Sequence, residues 1–135
     1  MANNPLWYDA TEIAALAART ALCNSGFLAI YTGTQPALDG SLTGTLLVTL
    51  TFSATAFGAP AASGGVVTAI ANAITSGTAG NTGTAGYFAL VQSNGTSVVM
   101  TGTVGTSAAD LIGATTSITS GNTVSCSSFQ RTQPQ

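Results

Sequence analysis

The chain has 135 residues, of which 45% are hydrophobic and only 4% are charged, and its formal net charge is −2. A chain of this length is expected to form one domain with a sizeable core. Because it contains no histidine and no lysine, serine–histidine and serine–lysine catalytic pairs cannot form, and we expect that the protein is not an enzyme.

The same composition argues against several kinds of binding site. Two arginines in an acidic chain do not make a nucleic-acid surface, and no apolar stretch is long enough to predict a membrane span. Cys23 and Cys126 are too far apart in the sequence to indicate a zinc site, and we expect both thiols to be reduced. No cofactor or metal site is predicted. The N-terminus has no basic region before an apolar run, so no signal peptide is expected.

Residues 1–8 are predicted to form an extended N-terminal arm that carries the only tryptophan of the chain. Leu6, Trp7 and Tyr8 are candidate contacts with a partner, because aromatic side chains dominate interface hot spots. Tyr8 has a second interpretation, in which it packs as a hydrophobic staple against the helix that follows.

Residues 9–25 are predicted to form a helix. Asp9 and Glu12 have the spacing of a capping box, with Asp9 as the N-cap and Glu12 reaching back from the third helical position. Ile13 and Leu16 begin a narrow apolar stripe. Gly26 is placed to adopt the left-handed conformation that ends many helices.

From Phe27 onward, apolar and polar residues alternate over short runs, which indicates strands. We predict a β-rich body over residues 26–129, with strands at residues 27–32, 46–52, 66–70 (or 66–74), 87–92, 96–100 and 123–129. Asn94 and Gly95 lie between two of these runs and predict a tight hairpin turn, in which both central residues need positive φ. The last segment, residues 130–135, has no large apolar side chain and is predicted to be a flexible tail.

Two acidic residues of the body have structural interpretations. Asp39 lies in the turn-like sequence of residues 38–41, where an aspartate favours local hydrogen bonds to the backbone. Asp110 either caps a turn or takes part in a calcium site together with backbone carbonyl groups.

Together these elements predict a mainly β protein of one domain. We expect a β-sandwich or barrel of the jelly-roll type, with about six or seven short antiparallel strands and one N-terminal α-helix. A parallel α/β architecture is not expected, because no helical pattern separates the strands.

Seven segments, in this order, resemble a family of small virion proteins from tailed bacteriophages and prophages. The resemblance covers residues 13–129, and its segments are residues 31–36 (YTGTQP), 57–59 (FGA), 69–76 (AIANAITS), 83–88 (GTAGYF), 93–99 (SNGTSVV), 104–111 (VGTSAADL) and 116–125 (TSITSGNTVS). It implies a structural virion protein, and first of all a capsid cement or decoration protein.

The resemblance also implies the partners and the location. The protein is expected to bind the major capsid protein and copies of itself, as a homotrimer, on the capsid surface of a virion, after synthesis in the host cytoplasm. Two alternatives stay open. One is a structural component of the phage tail or fibre. The other is a neutral carbohydrate-binding module that uses Tyr31 or Tyr87 as an exposed aromatic platform.

Overall fold

The computed structural model describes residues 8–134, in which 41% of the chain is strand and 10% is helix. The helix α1 is Asp9–Ala21. The strands are β1 (Phe27–Thr32), β2 (Leu46–Thr51), β3 (Ala61–Ser63), β4 (Val66–Ile70), β5 (Gly77–Thr78), β6 (Gly83–Val91), β7 (Val98–Gly105), β8 (Leu111–Ile112), β9 (Ser117–Ile118), β10 (Thr123–Val124) and β11 (Gln130–Pro134).

Six strands form a curled sheet in the order β2–β1–β6–β7–β8, with β9 paired to the start of β6. A second sheet has the order β11–β4–β3, and β5 and β10 form a short ribbon. This arrangement confirms the predicted fold class, a mainly β sandwich or half-barrel with one N-terminal helix. The expectation of antiparallel strands throughout is wrong at one place, because β7 and β8 are parallel.

The helix begins with Tyr8, and not Asp9, as its N-cap. Two backbone N–H groups of the first turn donate to the Tyr8 carbonyl over 2.9 and 3.1 Å, which makes Asp9 the first helical residue, and the Tyr8 side chain makes no capping bond. The prediction of Asp9 as the N-cap is therefore wrong. Glu12 is the fourth helical residue and not the third, and it lies on the buried side of the helix with Leu16 and Thr20. Asp9 stays in the first turn, where its charge interacts favourably with the helix dipole.

The helix ends earlier than predicted, at Ala21, with Leu22 as its C-cap. The residue with positive φ after the helix is Ser25, at 56°, and not Gly26. Gly26 has another reason to be glycine, because a Cβ there would lie 2.9 Å from the carbonyl oxygen of Cys23.

The predicted hairpin of β6 and β7 is confirmed, but its loop is wider than a two-residue turn. The strands pair up to Val91 and Val98, which leaves residues 92–97 in the loop. Gly95 has a φ of 76°, whereas Asn94 does not have positive φ. The Asn94 Oδ1 instead accepts hydrogen bonds of 2.9 Å from the backbone N–H groups of the two residues after Gly95.

The predicted flexible tail is wrong over the residues described, because Gln130–Pro134 is strand β11. It pairs antiparallel with the whole of β4, from Gln130 opposite Ile70 to Pro134 opposite Val66. Pairing between strands uses backbone N–H and C=O groups and needs no apolar side chain. The polar composition of the segment therefore carried no sign of this strand.

Four phenylalanines join the two larger sheets. Phe129 makes edge-to-face contacts with Phe52, Phe57 and Phe88, at ring-centroid distances of 6.4, 6.1 and 5.6 Å. These rings belong to one continuous buried cluster that also includes Leu16 of α1 and apolar residues of β1, β2 and β4. The core therefore lies between the curled sheet, the helix and the three-stranded sheet.

The ring of Phe88 occupies the space that a side chain at position 102 would fill. Phe88 pairs with Gly102 across β6 and β7, and a Cβ on Gly102 would lie 2.6 Å from two ring atoms of Phe88. The same Cβ would lie 3.1 Å from the Asp110 Oδ2. Phe88 is only 1% exposed, so its ring cannot move away cheaply.

We expect Gly102→Ala to lower the free energy of unfolding by about 1–3 kcal/mol, because it forces the Phe88 ring out of its position. Denaturant titration of the purified protein measures this change. The matched control is Gly80→Ala, since a Cβ at Gly80 meets nothing within 4 Å. Equal effects of the two substitutions would contradict the proposed clash.

Candidate functional site

The acidic side chains of the described residues do not form a catalytic cluster. Asp9 is exposed at the start of α1, Glu12 is 7% exposed, and Asp39 and Asp110 lie in separate turns. Within residues 8–134, no group of three or more His, Cys, Asp or Glu side chains could hold a metal ion. No buried polar side-chain atom in that part of the chain lacks a hydrogen-bond partner.

Asp110 caps the turn between β7 and β8. Its Oδ2 accepts hydrogen bonds from the backbone N–H and the hydroxyl group of Thr103, over 2.9 and 3.2 Å. The backbone N–H of Asp110 in turn donates to the Thr103 Oγ1 over 3.1 Å. Of the two interpretations of this residue, the structure supports capping. The bonds fold residues 106–110 back so that β8 lies alongside β7.

The candidate contacts of the N-terminal arm are described only in part. Leu6 and Trp7 lie outside the described residues. Tyr8 is 82% exposed, so the interpretation of this side chain as a hydrophobic staple is wrong. Its role as a partner contact stays a prediction, and its exposure leaves the ring accessible.

The prediction that Tyr87 is an exposed aromatic platform for carbohydrate is wrong. Tyr87 is fully buried, and its hydroxyl group donates to the Thr43 carbonyl over 2.5 Å and accepts from the Thr43 N–H over 2.9 Å. Tyr31 is half-buried and stacks on Tyr87 with ring centroids 5.2 Å apart. Burial, and then the neighbouring Tyr87, raise the pKa of Tyr31. These rings hold the loop of residues 33–45 against the sheet, and Gln35 adds a 2.9 Å bond from its Nε2 to the Thr101 Oγ1.

We expect Tyr87→Phe to loosen that loop, because the substitution removes both hydrogen bonds to Thr43. The expected loss in the free energy of unfolding is about 1 kcal/mol, since water can replace the bonds at an exposed residue. Amide hydrogen exchange should become faster at Thr43. In the matched control, Tyr31→Phe, the stacked ring is kept and exchange at Thr43 should stay as in the wild type; equal acceleration in both would refute this role of Tyr87.

One groove has a volume of about 420 Å³ and no charged lining. Its floor includes Leu28, Ile30 and Leu50, and its other walls carry several hydroxyl groups, those of Thr115, Ser117, Ser125, Ser127 and Ser128. Cys126 is the one ionisable side chain that lines it. Burial raises the pKa of that thiol, and a hydrogen bond with the backbone of Ser128 opposes the rise. The groove is therefore uncharged at neutral pH and contains no strong nucleophile.

Both cysteines are free thiols, as expected from the sequence. Cys23 is 1% exposed, and burial raises its pKa to about 11. The thiolate is the reactive form of cysteine, so Cys23 is both inaccessible and protonated at neutral pH.

We expect Cys23 to resist thiol reagents until the protein unfolds. In a Cys126→Ser variant at mildly alkaline pH, a disulfide-exchange reagent should label the native protein no faster than it unfolds globally. The same variant in denaturant should react at once, which controls for the chemistry of the reagent. Rapid labelling of the native variant would show that the site around Cys23 opens locally.

Two surface features include details that the sequence did not predict, namely a groove shared by both arginines and the exposure of Leu38. The first, which we call the arginine groove, has a volume of about 300 Å³ and an apolar lining that includes Leu22, Leu90 and Met100. Both basic residues of the chain, Arg19 and Arg131, also line it. These two residues are far apart in the sequence, which therefore did not predict that they would line the same groove.

The second feature, which we call the Leu38 turn, comprises residues 37–40. It is closed by a 2.8 Å bond from the Gly40 N–H to the Ala37 carbonyl, and Asp39 has a φ of 60°. The turn expected at Asp39 is therefore confirmed. Leu38 is 94% exposed. The sequence contained one indication of this exposure, which is a large apolar residue within a predicted turn.

Comparison of the chain with protein-family models, with curated proteins and with solved structures gave no match. The helix α1 has 13 residues. Within residues 8–134, no helix is long and apolar enough to cross a membrane.

Proposed function

We propose that the protein is a structural virion protein of a tailed phage or prophage, and most simply a capsid cement or decoration protein. In this role it binds the major capsid protein and copies of itself on the capsid surface and stabilises the contacts between capsid subunits. The alternative within the same class is a structural component of the tail or fibre. The observation that carries the proposal is the ordered resemblance of seven segments within residues 13–129.

Several of these segments shape the backbone. Residues 31–36 and 83–88 meet where the register of β1 and β6 shifts, between Tyr31 and Thr32. Close to that shift, a Cβ on Gly86 would collide with the carbonyl oxygen of Gly33. Residues 93–99 contain most of the hairpin loop, and residues 104–111 contain the turn that Asp110 caps. The resembling features thus belong to a scaffold, which supports a role based on shape.

The surface chemistry also favours a role in assembly. A chain with 4% charged residues has little electrostatic repulsion to keep neighbouring molecules apart. Tyr8 and Leu38 are both large side chains that are more than four-fifths exposed, at 82% and 94%. Exposed side chains of this kind are suited to fill pockets on a neighbouring subunit.

Electron cryomicroscopy of the intact particle tests the proposal directly. A cement protein should give stoichiometric density over the junctions between capsomers, and particles that lack it should break at a lower temperature. Density confined to the tail would favour the alternative. Absence of the protein from purified particles would contradict both.

We expect Trp7→Ala to weaken attachment to the particle, because a buried aromatic anchor contributes about 2 kcal/mol or more, which is roughly thirty-fold in affinity. The occupancy of the protein on purified particles measures this effect. Ile112→Ala is the matched control, because Ile112 is 61% exposed on β8. Unchanged occupancy with Trp7→Ala would exclude the arm as an anchor.

A further inference from the structure

The fold gathers all the positive charge of the side chains in one place. Arg19 lies on α1 and Arg131 lies on β11, and both line the arginine groove. They are the only basic residues in a chain with four acidic ones. Leu22, at the edge of this groove, is 47% exposed. The groove therefore combines an apolar lining with two cations on a protein that is otherwise acidic.

The Leu38 turn has the complementary chemistry. Leu38 projects with 94% of its surface exposed, and the carboxylate of Asp39 is next to it in an exposed position. The turn rests on a fixed base, because Thr43 is bonded to Tyr87 and Gln35 is bonded to Thr101. An apolar side chain and an anion are thus presented together on a held loop.

The Leu38 turn and the arginine groove border on the same strand. Val99 and Met100 of β7 line the arginine groove and also the cleft beside the Leu38 turn. Val98, at the start of this strand, is 44% exposed. On the outer edge of β7, the strand that pairs with it among the described residues is β8, and that pairing reaches only Val104 and Gly105. Among the described residues, the first half of β7 therefore has no strand paired on its outer edge.

We propose that this edge of the curled sheet binds a second copy of the chain, with the Leu38 turn of each copy seated in the arginine groove of the other. An edge of one charge sign would repel its own copy, whereas this edge carries cations on one side of β7 and an anion on the other. In a reciprocal contact, Asp39 lies near the arginines of the partner copy at both ends of the interface. Leu38 leaves water and enters an apolar lining, which supplies the favourable free energy.

The inference assigns a surface to the self-contact that the proposed function includes, but it is tested on the purified protein alone. Because the contact is reciprocal, it closes as a dimer and not as the homotrimer that the resemblance implies. Sedimentation equilibrium over a wide concentration range should therefore detect reversible dimers. Leu38→Asn should raise the dissociation constant about tenfold or more, as expected for the loss of an apolar anchor. Ile112→Asn, which removes another exposed apolar side chain on β8, should leave the constant unchanged.

Exchange of the charges tests the orientation of the contact. Asp39→Arg and Arg131→Asp should each weaken dimerisation, and the double variant should recover much of the lost affinity because it restores opposite charges across the interface. Arg19→Asp provides a second reversal in α1 if Arg131→Asp disturbs β11. Added salt should weaken the wild-type dimer, since exposed charges are screened. Thermal unfolding of each variant confirms that it is folded.

Three results would overturn the inference. They are a wild-type protein that stays monomeric at the highest concentration, a Leu38→Asn variant that dimerises like the wild type, and a charge-exchanged double variant that is no better than the single ones. A monomeric protein that still occupies capsid sites would reject this surface and leave the proposed function standing. A protein that dimerises through this surface but is absent from purified particles would support the surface and contradict the proposed function.

Discussion

The fold depends on the packing of large side chains against the concave side of the curled sheet. A chain with so few charged residues cannot cover that concave side with ion pairs, and its many alanines and glycines fill little space. Phe129 meets this demand by contacting Phe52, Phe57 and Phe88 at once, so that one ring brings together the curled sheet and the start of β11. Gly102 is part of the same solution, because the Phe88 ring lies where its side chain would be.

The opposite face of the curled sheet is organised by a different interaction. Ala29 and Ala89 pair across β1 and β6 and are both buried, which indicates that small residues let the loop of residues 33–45 come close. The stacked rings of Tyr31 and Tyr87 then hold this loop through Thr43. Aromatic residues that first pointed to a ligand platform therefore have a structural role. Their consequence for function is indirect, since they present the Leu38 turn on a fixed base.

The scarcity of charge makes each charged side chain informative. Asp110 is hydrogen-bonded to Thr103, and Asp9 lies in the first turn of the helix. The two cations share one groove. A surface made mostly of hydroxyl groups, amides and small apolar residues has little long-range repulsion, so association is decided by fitted shapes and by a few well-placed charges. This links the proposed role in a virion to the surface that we assign to self-association.

Much of the local structure was determined by the sequence itself. The strands Phe27–Thr32 and Val66–Ile70 have their predicted bounds, and the hairpin around Gly95 was found, because alternation and turn chemistry are recorded in adjacent residues. Only the tertiary structure decided the rest. β11 forms through backbone bonds that its polar side chains do not signal, β8 follows β7 because Asp110 bonds to Thr103, and Tyr87 is buried by a loop more than forty residues away. Arg19 and Arg131 line one groove for the same reason. Contacts between distant parts of a chain depend on how its elements pack, and no short stretch of residues contains that information.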